Sequence, residues 1–146
     1  MTALLDVNVF IALVWPAHEH HGAAHRWLRA RTGARWASCP LTQLGLIRLV
    51  SNPAFSPDAL VLADAVTLLD KNTAHPQHDF WPDALPAARA LKALAGGMRG
   101  HQQVTDAYLL ALAVRRKGCV ATFDAGLSDL ASAAGLGAHV DVVPAR

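Results

Sequence analysis

Residues 102–123 read QQVTDAYLLALAVRRKGCVATF, and this stretch decides the fold class. Its first part, up to Lys117, is apolar nearly all round, which predicts a helix buried on most sides. Its last part, residues 119–123, is a short apolar run with the length of a buried strand. A buried helix that leads directly into a buried strand is typical of α/β domains with a parallel sheet.

The remainder of the chain shows the same alternation of short apolar runs and longer helical patterns. Strands are predicted at residues 3–6, 36–38, 79–81, 119–123 and 140–143. Helices are predicted at residues 8–14 (as a turn or a helix), 19–31, 41–51, 57–70, 84–95, 102–117 and 125–134. No internal repeat, low-complexity tract or linker interrupts this pattern. We therefore expect residues 1–146 to form a single α/β domain.

The composition excludes several classes of protein. The chain has 146 residues, of which 53% are hydrophobic and 16% charged, so disorder is not expected. The longest unbroken apolar run, residues 107–114, is far shorter than the ~20 residues of a membrane span, and no export signal is visible. Cys39 and Cys119 lie in apolar surroundings and are expected to be reduced, which indicates the cytoplasm. The formal net charge of +2 is too small to indicate nucleic-acid binding.

Three acidic side chains stand where the pattern predicts burial. Ten of the eleven acidic residues are Asp, so a carboxylate site in this chain must be built mainly from Asp. Asp6 lies in the apolar run that opens the chain, Asp106 at the start of the buried helix, and Asp124 directly after a strand. A charged group at such a position costs several kcal/mol unless it is paired or bound to a metal ion.

The predicted fold brings these three acids to one edge of the sheet. Asp6 and Asp124 fall at the carboxyl ends of strands, where parallel sheets bind ligands, and Asp106 lies at a helix N-terminus that faces the same edge. Because no Lys adjoins them, a divalent cation is the natural counter-charge, and oxygen ligands suit Mg²⁺ or Mn²⁺. On the sequence alone, Asp106 and Asp124 could instead be simple helix caps.

Several segments resemble one known family. Leu4-Leu5-Asp6-Val7-Asn8, Thr105-Asp106-Ala107-Tyr108-Leu109-Leu110 and Thr122-Phe123-Asp124 resemble the motifs of PIN domains, and more narrowly those of VapC-type toxins of toxin–antitoxin modules. Residues 39–49 and 78–83 support the resemblance, which covers nearly the whole chain. It implies a three-layer α/β/α sandwich around a central parallel sheet. It also implies a Mg²⁺-dependent endoribonuclease, with Mn²⁺ able to substitute, that cuts tRNA or rRNA. Such proteins are usually homodimers, and each is inhibited by a VapB-type antitoxin.

The resemblance assigns the site residues. Asp6, Asp106 and Asp124 are implied as metal ligands and catalytic residues, with Asp6 and Asp106 holding the ion and Asp124 orienting the attacking water. Gln43 matches a position where PIN domains usually carry Glu, and a Gln there contributes oxygen but no charge. This departure favours one metal ion and leaves open an alternative, a non-catalytic PIN module that binds RNA or a protein. Relief of carboxylate repulsion predicts that Asp6→Asn abolishes cleavage yet stabilises the metal-free protein.

Substrate contacts are expected from the glycine-rich loop at residues 96–102. Arg99 and His101 lie in this loop just before Asp106, so they could hold the RNA backbone, although an ordinary solvated loop is the alternative. Thr105 could contact the metal shell or a phosphate. His21 and His25 stand at i, i+4, a spacing that suits zinc, but a solvated helix face is the favoured interpretation.

Overall fold

The computed structural model describes residues 1–146, and a parallel sheet of five strands forms its centre. The strands are β1 (Ala3–Leu5), β2 (Trp36–Ser38), β3 (His78–Phe80), β4 (Cys119–Thr122) and β5 (Val140–Val142). Their order across the sheet is β3-β2-β1-β4-β5, and every neighbouring pair is parallel. The predicted α/β fold with a central parallel sheet is therefore confirmed.

Seven α-helices connect and cover the strands. They are α1 (Val7–Val14), α2 (His21–Ala30), α3 (Pro40–Val50), α4 (Leu62–Thr73), α5 (Ala87–Leu91), α6 (Val104–Arg115) and α7 (Ala125–Ala133). Short 3₁₀ turns lie at Ala95–Gly97, His101–Gln103 and Gly137–His139. None of the helices has both the length and the apolar character that crossing a membrane requires.

The two central strands, β1 and β4, are buried throughout because helices cover both faces of the sheet. Leu4 and Val120 point to one side, where they pack with residues of α5, α6 and α7. Leu5 and Ala121 point to the other side, where they pack with residues of α1, α2, α3 and α4. Successive side chains of a strand alternate between faces, so this division into two cores produces the three layers of an α/β/α sandwich.

The order of the strands reverses between β1 and β4. From β1 the chain moves outward to β2 and β3, whereas β4 and β5 lie on the other side of β1. The backbone N–H of Asp6 donates to the C=O of Ala121 at 2.9 Å, which ties the end of β1 to β4. In open parallel sheets, the crevice beyond the carboxyl ends of the strands at such a reversal is where ligands bind.

The start of the helix predicted at residues 57–70 is wrong, because α4 begins only at Leu62. The backbone N–H of Leu60 donates to the C=O of Val50 at 2.8 Å, so this segment is bonded to the end of α3. Val61 then has an extended backbone, with φ −66° and ψ 153°. The hydrogen bond between Leu60 and Val50, which the sequence pattern does not reveal, therefore prevents a helix from starting at residue 57.

The helix predicted at residues 84–95 is also shorter than expected, since α5 covers only Ala87–Leu91. Pro86 precedes it with ψ 135°, and a proline also disfavours helical geometry at the residue before it. The C=O of that residue, Leu85, instead accepts a hydrogen bond from the Tyr108 hydroxyl at 2.9 Å. The segment is thus held against α6 and does not continue a helix.

Candidate active site

The reversal between β1 and β4 brings the three predicted acids together. Asp6 follows β1, Asp124 follows β4 by two residues, and Asp106 lies in the first turn of α6, the helix that leads into β4. The negative charges of Asp6 and Asp124 both contribute to raising the pKa of Asp106. Acids from distant parts of the chain are therefore close enough to interact through their charges.

Asp6 has two hydrogen-bond partners, one on each carboxylate oxygen. It is the N-cap of α1, and its Oδ1 accepts the backbone N–H of Val7 at 2.7 Å. Its Oδ2 accepts the hydroxyl of Thr122 at 2.8 Å. Burial raises the pKa of Asp6, and these two hydrogen bonds act in the opposite direction. The strand predicted at residues 3–6 is thus one residue too long, because Asp6 is the N-cap of α1.

Thr122 joins the segments that carry two of the acids. Its hydroxyl is fully buried, donates to Asp6, and accepts from the backbone N–H of Asp124 at 3.0 Å and from Asn8 Nδ2 at 3.2 Å. Asn8 Oδ1 in turn accepts the backbone N–H of Phe123 at 3.2 Å. The signal in the sequence was weak, since Asn8 and Thr122 are merely single polar residues beside apolar runs.

Asp124 and Asp106 differ in their relation to the helices that they begin. Asp124 is a true N-cap, because its Oδ1 accepts the backbone N–H of Gly126 at 2.8 Å. Asp106 lies inside the first turn of α6, and its carboxylate accepts no hydrogen bond from the protein. Burial, followed by the charges of Asp6 and Asp124, raises the pKa of Asp106 from 3.8 to about 6. Capping explains Asp124 in part but does not explain Asp106.

A polar cavity of about 490 Å³ opens beside Asp106 and Asp124. Its other walls are residues 99–103 and Gly126, and no hydrophobic side chain lines it. The structure therefore places Arg99 and His101 at the cavity, together with Gln102 and Gln103, which the sequence did not single out. Thr105 is exposed on the first turn of α6 and lies outside the cavity lining.

Gln43 belongs to a different set of contacts. Its side-chain Nε2 donates to Ser38 Oγ at 2.9 Å, and Ser38 Oγ lies 2.7 Å from His78 Nε2. Gln43 lines a smaller cavity of about 280 Å³ next to α4, and not the one that contains Asp106 and Asp124. The structure therefore does not bring Gln43 to the cavity of the acids.

The bonds of Gln43 lead to a prediction for Gln43→Glu. In the wild type the Gln43 amide donates to Ser38, so the Ser38 hydroxyl is free to donate to His78, whose pKa is lowered mainly by burial. A Glu carboxylate can only accept, so Ser38 must donate to it, and His78 Nε2 must become the donor to Ser38. We expect the pKa of His78 to rise in Gln43→Glu, as measured by NMR titration. An unchanged pKa of His78, equal to that in a Gln43→Met control, would contradict this reversal.

The raised pKa of Asp106 predicts how stability depends on pH. A carboxyl group with a higher pKa in the folded state makes that state bind more protons than the unfolded chain between the two pKa values. For Asp106 these values are 3.8 and about 6, so this contribution to the stability of the metal-free protein should rise as pH falls through that window. Thermal melts in EDTA at pH about 7 and about 5 should show a gain that Asp106→Asn lacks. An equal pH response of both proteins would contradict the raised pKa.

No group of three His, Cys, Asp or Glu side chains in the structure is arranged as a formed metal site, so only the chemistry of the three acids can be compared with that of a cation. The side chains of Asp6, Asp106 and Asp124 offer carboxylate oxygens, and none of them forms an ion pair with Lys or Arg. Oxygen ligands with uncompensated negative charge are what Mg²⁺ and Mn²⁺ prefer.

The His21 and His25 rings, whose spacing suits zinc, form hydrogen bonds with the backbone. Each ring has one nitrogen within 2.9 Å of a carbonyl oxygen at the end of α1.

The chain is similar to known proteins over most of its length. The family model described as PIN domain matches residues 3–133. Among curated proteins of Mycobacterium tuberculosis, Ribonuclease VapC39 is 44% identical over 91% of this chain and 96% of its own length. Ribonuclease VapC29 is 45% identical over 89% of this chain and 91% of its own length, and Ribonuclease VapC38 is 42% identical over 88% and 89%. With a PIN model across most of its length and relatives of this identity, the chain belongs to the PIN-domain family and, within it, to the VapC type.

Proposed function

We propose that this protein is the toxin of a toxin–antitoxin pair and a metal-dependent endoribonuclease that hydrolyses RNA phosphodiester bonds. The main support for the enzymatic part of the proposal is the environment of the Asp106 carboxylate. This carboxylate is half-buried, has no hydrogen-bond partner, and has a pKa raised to about 6 by burial and by the charges of Asp6 and Asp124. Such a cluster is costly in a metal-free protein, and a bound divalent cation would offset the cost. The proposed cofactor is Mg²⁺, with Mn²⁺ able to substitute.

The three acids would hold the ion from three different segments. Asp6 and Asp106 are proposed as its main ligands, and Asp124 keeps Oδ2 available because Gly126 engages only Oδ1. A bound divalent cation supplies Lewis-acid polarisation of the phosphate and neutralises developing charge. The free oxygen of Asp124 is suited to orient the attacking water. Attack in line with the leaving 3′ oxygen gives products with a 5′-phosphate and a 3′-hydroxyl.

The cavity walls suggest which residues would hold the substrate. Arg99 and His101 line the cavity and would donate hydrogen bonds to phosphate oxygens. Thr105, exposed in the first turn of α6, would contact RNA outside the cavity. Gln43 could reach the reacting water only after its bond to Ser38 breaks, so we propose that it contributes less than the three acids.

The partners follow from the VapC type. We propose a VapB-type antitoxin and a homodimer, with tRNA or rRNA as substrate. Val61, Leu62 and Val66 on and before α4 are exposed apolar side chains of the kind that a protein partner covers. The cytoplasm is the proposed location, and the two free, buried cysteines support a reducing compartment.

Cleavage of total cellular RNA by the purified protein, free of antitoxin, tests the proposal. The reactions contain Mg²⁺, Mn²⁺ or EDTA, and Asp6→Asn is run beside the wild type. Discrete cuts that need the metal ion and are absent in Asp6→Asn are expected. RNA that is bound but never cut by the folded, metal-loaded wild type would overturn the enzyme and favour a binding module.

A further inference from the structure

Gln103 is tied to the loop in front of it by its own side chain. Gln103 Oε1 accepts the backbone N–H of Arg99 at 2.7 Å, and the backbone N–H of Gln103 donates to the C=O of Gly100 at 3.1 Å. These two bonds close residues 99–103 into one turn directly before α6. Every residue of the turn lines the cavity that contains Asp106 and Asp124.

The bond to Arg99 fixes the orientation of the Gln103 amide. A backbone N–H can only donate, so the side-chain atom that faces it must be the oxygen. The side-chain NH₂ group of Gln103 donates a hydrogen bond to no group of the protein. Gln103 is half-buried, whereas its neighbour Gln102 is exposed and its side chain makes no hydrogen bond. Gln103 thus offers an oriented, neutral donor at the cavity.

Both hydrogen-bond acceptors and hydrogen-bond donors line the cavity. Asp106 and Asp124 provide carboxylate oxygens, while Arg99, His101 and the Gln103 amide provide N–H groups. No hydrophobic side chain lines the cavity, and the planar groups on which a base can stack there are the His101 ring and the Arg99 guanidinium. The phosphate and ribose oxygens of an RNA backbone can accept hydrogen bonds from these N–H groups.

We propose that Gln103 is a substrate-positioning residue, which holds residues 99–103 beside the acidic cavity and directs its amide NH₂ at an oxygen of the RNA backbone. This inference rests on the proposed function and deepens the description of the same site. It assigns recognition of the RNA backbone to the Gln103 amide.

Gln103→Met tests the inference, because Met has a similar length but neither donates nor accepts strong hydrogen bonds. Gln77→Met is the matched control, since Gln77 is also half-buried but directly precedes β3 and does not line the cavity. The affinity for a short fluorescein-labelled RNA of mixed sequence is read by stopped-flow anisotropy in Mg²⁺, before cleavage proceeds. KM and kcat are measured on the same RNA, and thermal melts confirm folding.

Gln103→Met is expected to raise both KM and the Kd for RNA about tenfold, as for the loss of one hydrogen bond to a charged group, with kcat within about twofold. Gln77→Met should change all three by less than about twofold. Equal values for the two variants, or a loss in kcat with KM unchanged, would overturn the inference. If the wild type binds RNA without cutting it, the anisotropy measurement still tests Gln103, while the proposed function fails.

Discussion

Replacing Asp106 by Asn should abolish RNA cleavage and at the same time raise the melting temperature of the metal-free protein. Cleavage should fall at least about a hundredfold, because a bound metal ion contributes several kcal/mol of transition-state stabilisation. Stability should rise because the Asp106 carboxylate is half-buried beside two other carboxylates and accepts no hydrogen bond. Cleavage assays in Mg²⁺ and thermal melts in EDTA at neutral pH measure the two effects.

Asp129→Asn is the control for Asp106→Asn. Asp129 is an exposed acid on α7 and does not line the acidic cavity, so its replacement removes the same charge elsewhere. It should leave cleavage unchanged and melting nearly unchanged. An Asp106→Asn protein that melts well below the wild type in EDTA would contradict the account, because the carboxylate would then stabilise the fold.

Asp106 is a better site for this test than Asp6. Relief of carboxylate repulsion predicts that Asp6→Asn stabilises the metal-free protein. The structure adds a cost, because Asp6 Oδ2 accepts the Thr122 hydroxyl, and an amide NH₂ at that place cannot accept. We therefore expect Asp6→Asn to abolish cleavage with a smaller gain in stability than Asp106→Asn.

Replacing Thr122 by Val should weaken both the fold and the activity. Val keeps the shape of Thr but removes the hydroxyl that donates to Asp6 and accepts from Asn8 and the backbone of Asp124. The buried partners left unpaired should lower the free energy of unfolding by about 2–3 kcal/mol. Cleavage by the folded protein should fall at least about tenfold, because Asp6 and Asp124 lose their common contact. Urea unfolding and cleavage assays at a temperature where the variant is folded measure the two effects.

Thr42→Val and Thr122→Ser complete this experiment. Thr42 is equally buried, and its hydroxyl bonds to the backbone of Cys39, far along the chain from the acids. Thr42→Val should therefore lose stability but keep cleavage per folded molecule, whereas Thr122→Ser should keep most of both. A Thr122→Val protein that cleaves as well as Thr42→Val would show that Thr122 does not position the acids.

The fold could be predicted from the sequence because burial in a parallel sheet leaves a direct pattern. Strands β1, β2 and β4 are buried along their whole length and are mainly apolar, since helices cover both of their faces. The helix starts at residues 57 and 84 could not be predicted in the same way. They depend on the bond from Leu60 to Val50 and on the bond from Tyr108 to Leu85, which join residues distant in the sequence.

The candidate site was predictable where charge conflicts with burial and not where polar groups satisfy one another. Asp6 and Asp106 were visible because a carboxylate in an apolar segment needs an explanation. Thr122 and Gln103 were not, because a hydroxyl or an amide is unremarkable in a sequence until its partners are known. Gln43 shows the opposite case, since the resemblance to PIN domains suggested it for the site, while its amide is bonded to Ser38.

We propose that Asp6, Asp106 and Asp124 together form a site for one divalent cation. Titration of the protein with Mn²⁺, followed by the EPR signal of free Mn²⁺, tests this claim most directly. We expect one ion per chain, an affinity that falls as pH drops below about 6 because Asp106 becomes protonated, and binding at least about tenfold weaker in Asp106→Asn. Asp129→Asn should bind as the wild type does. Mn²⁺ binding of equal strength in Asp106→Asn and wild type, or no binding by either, would contradict the account.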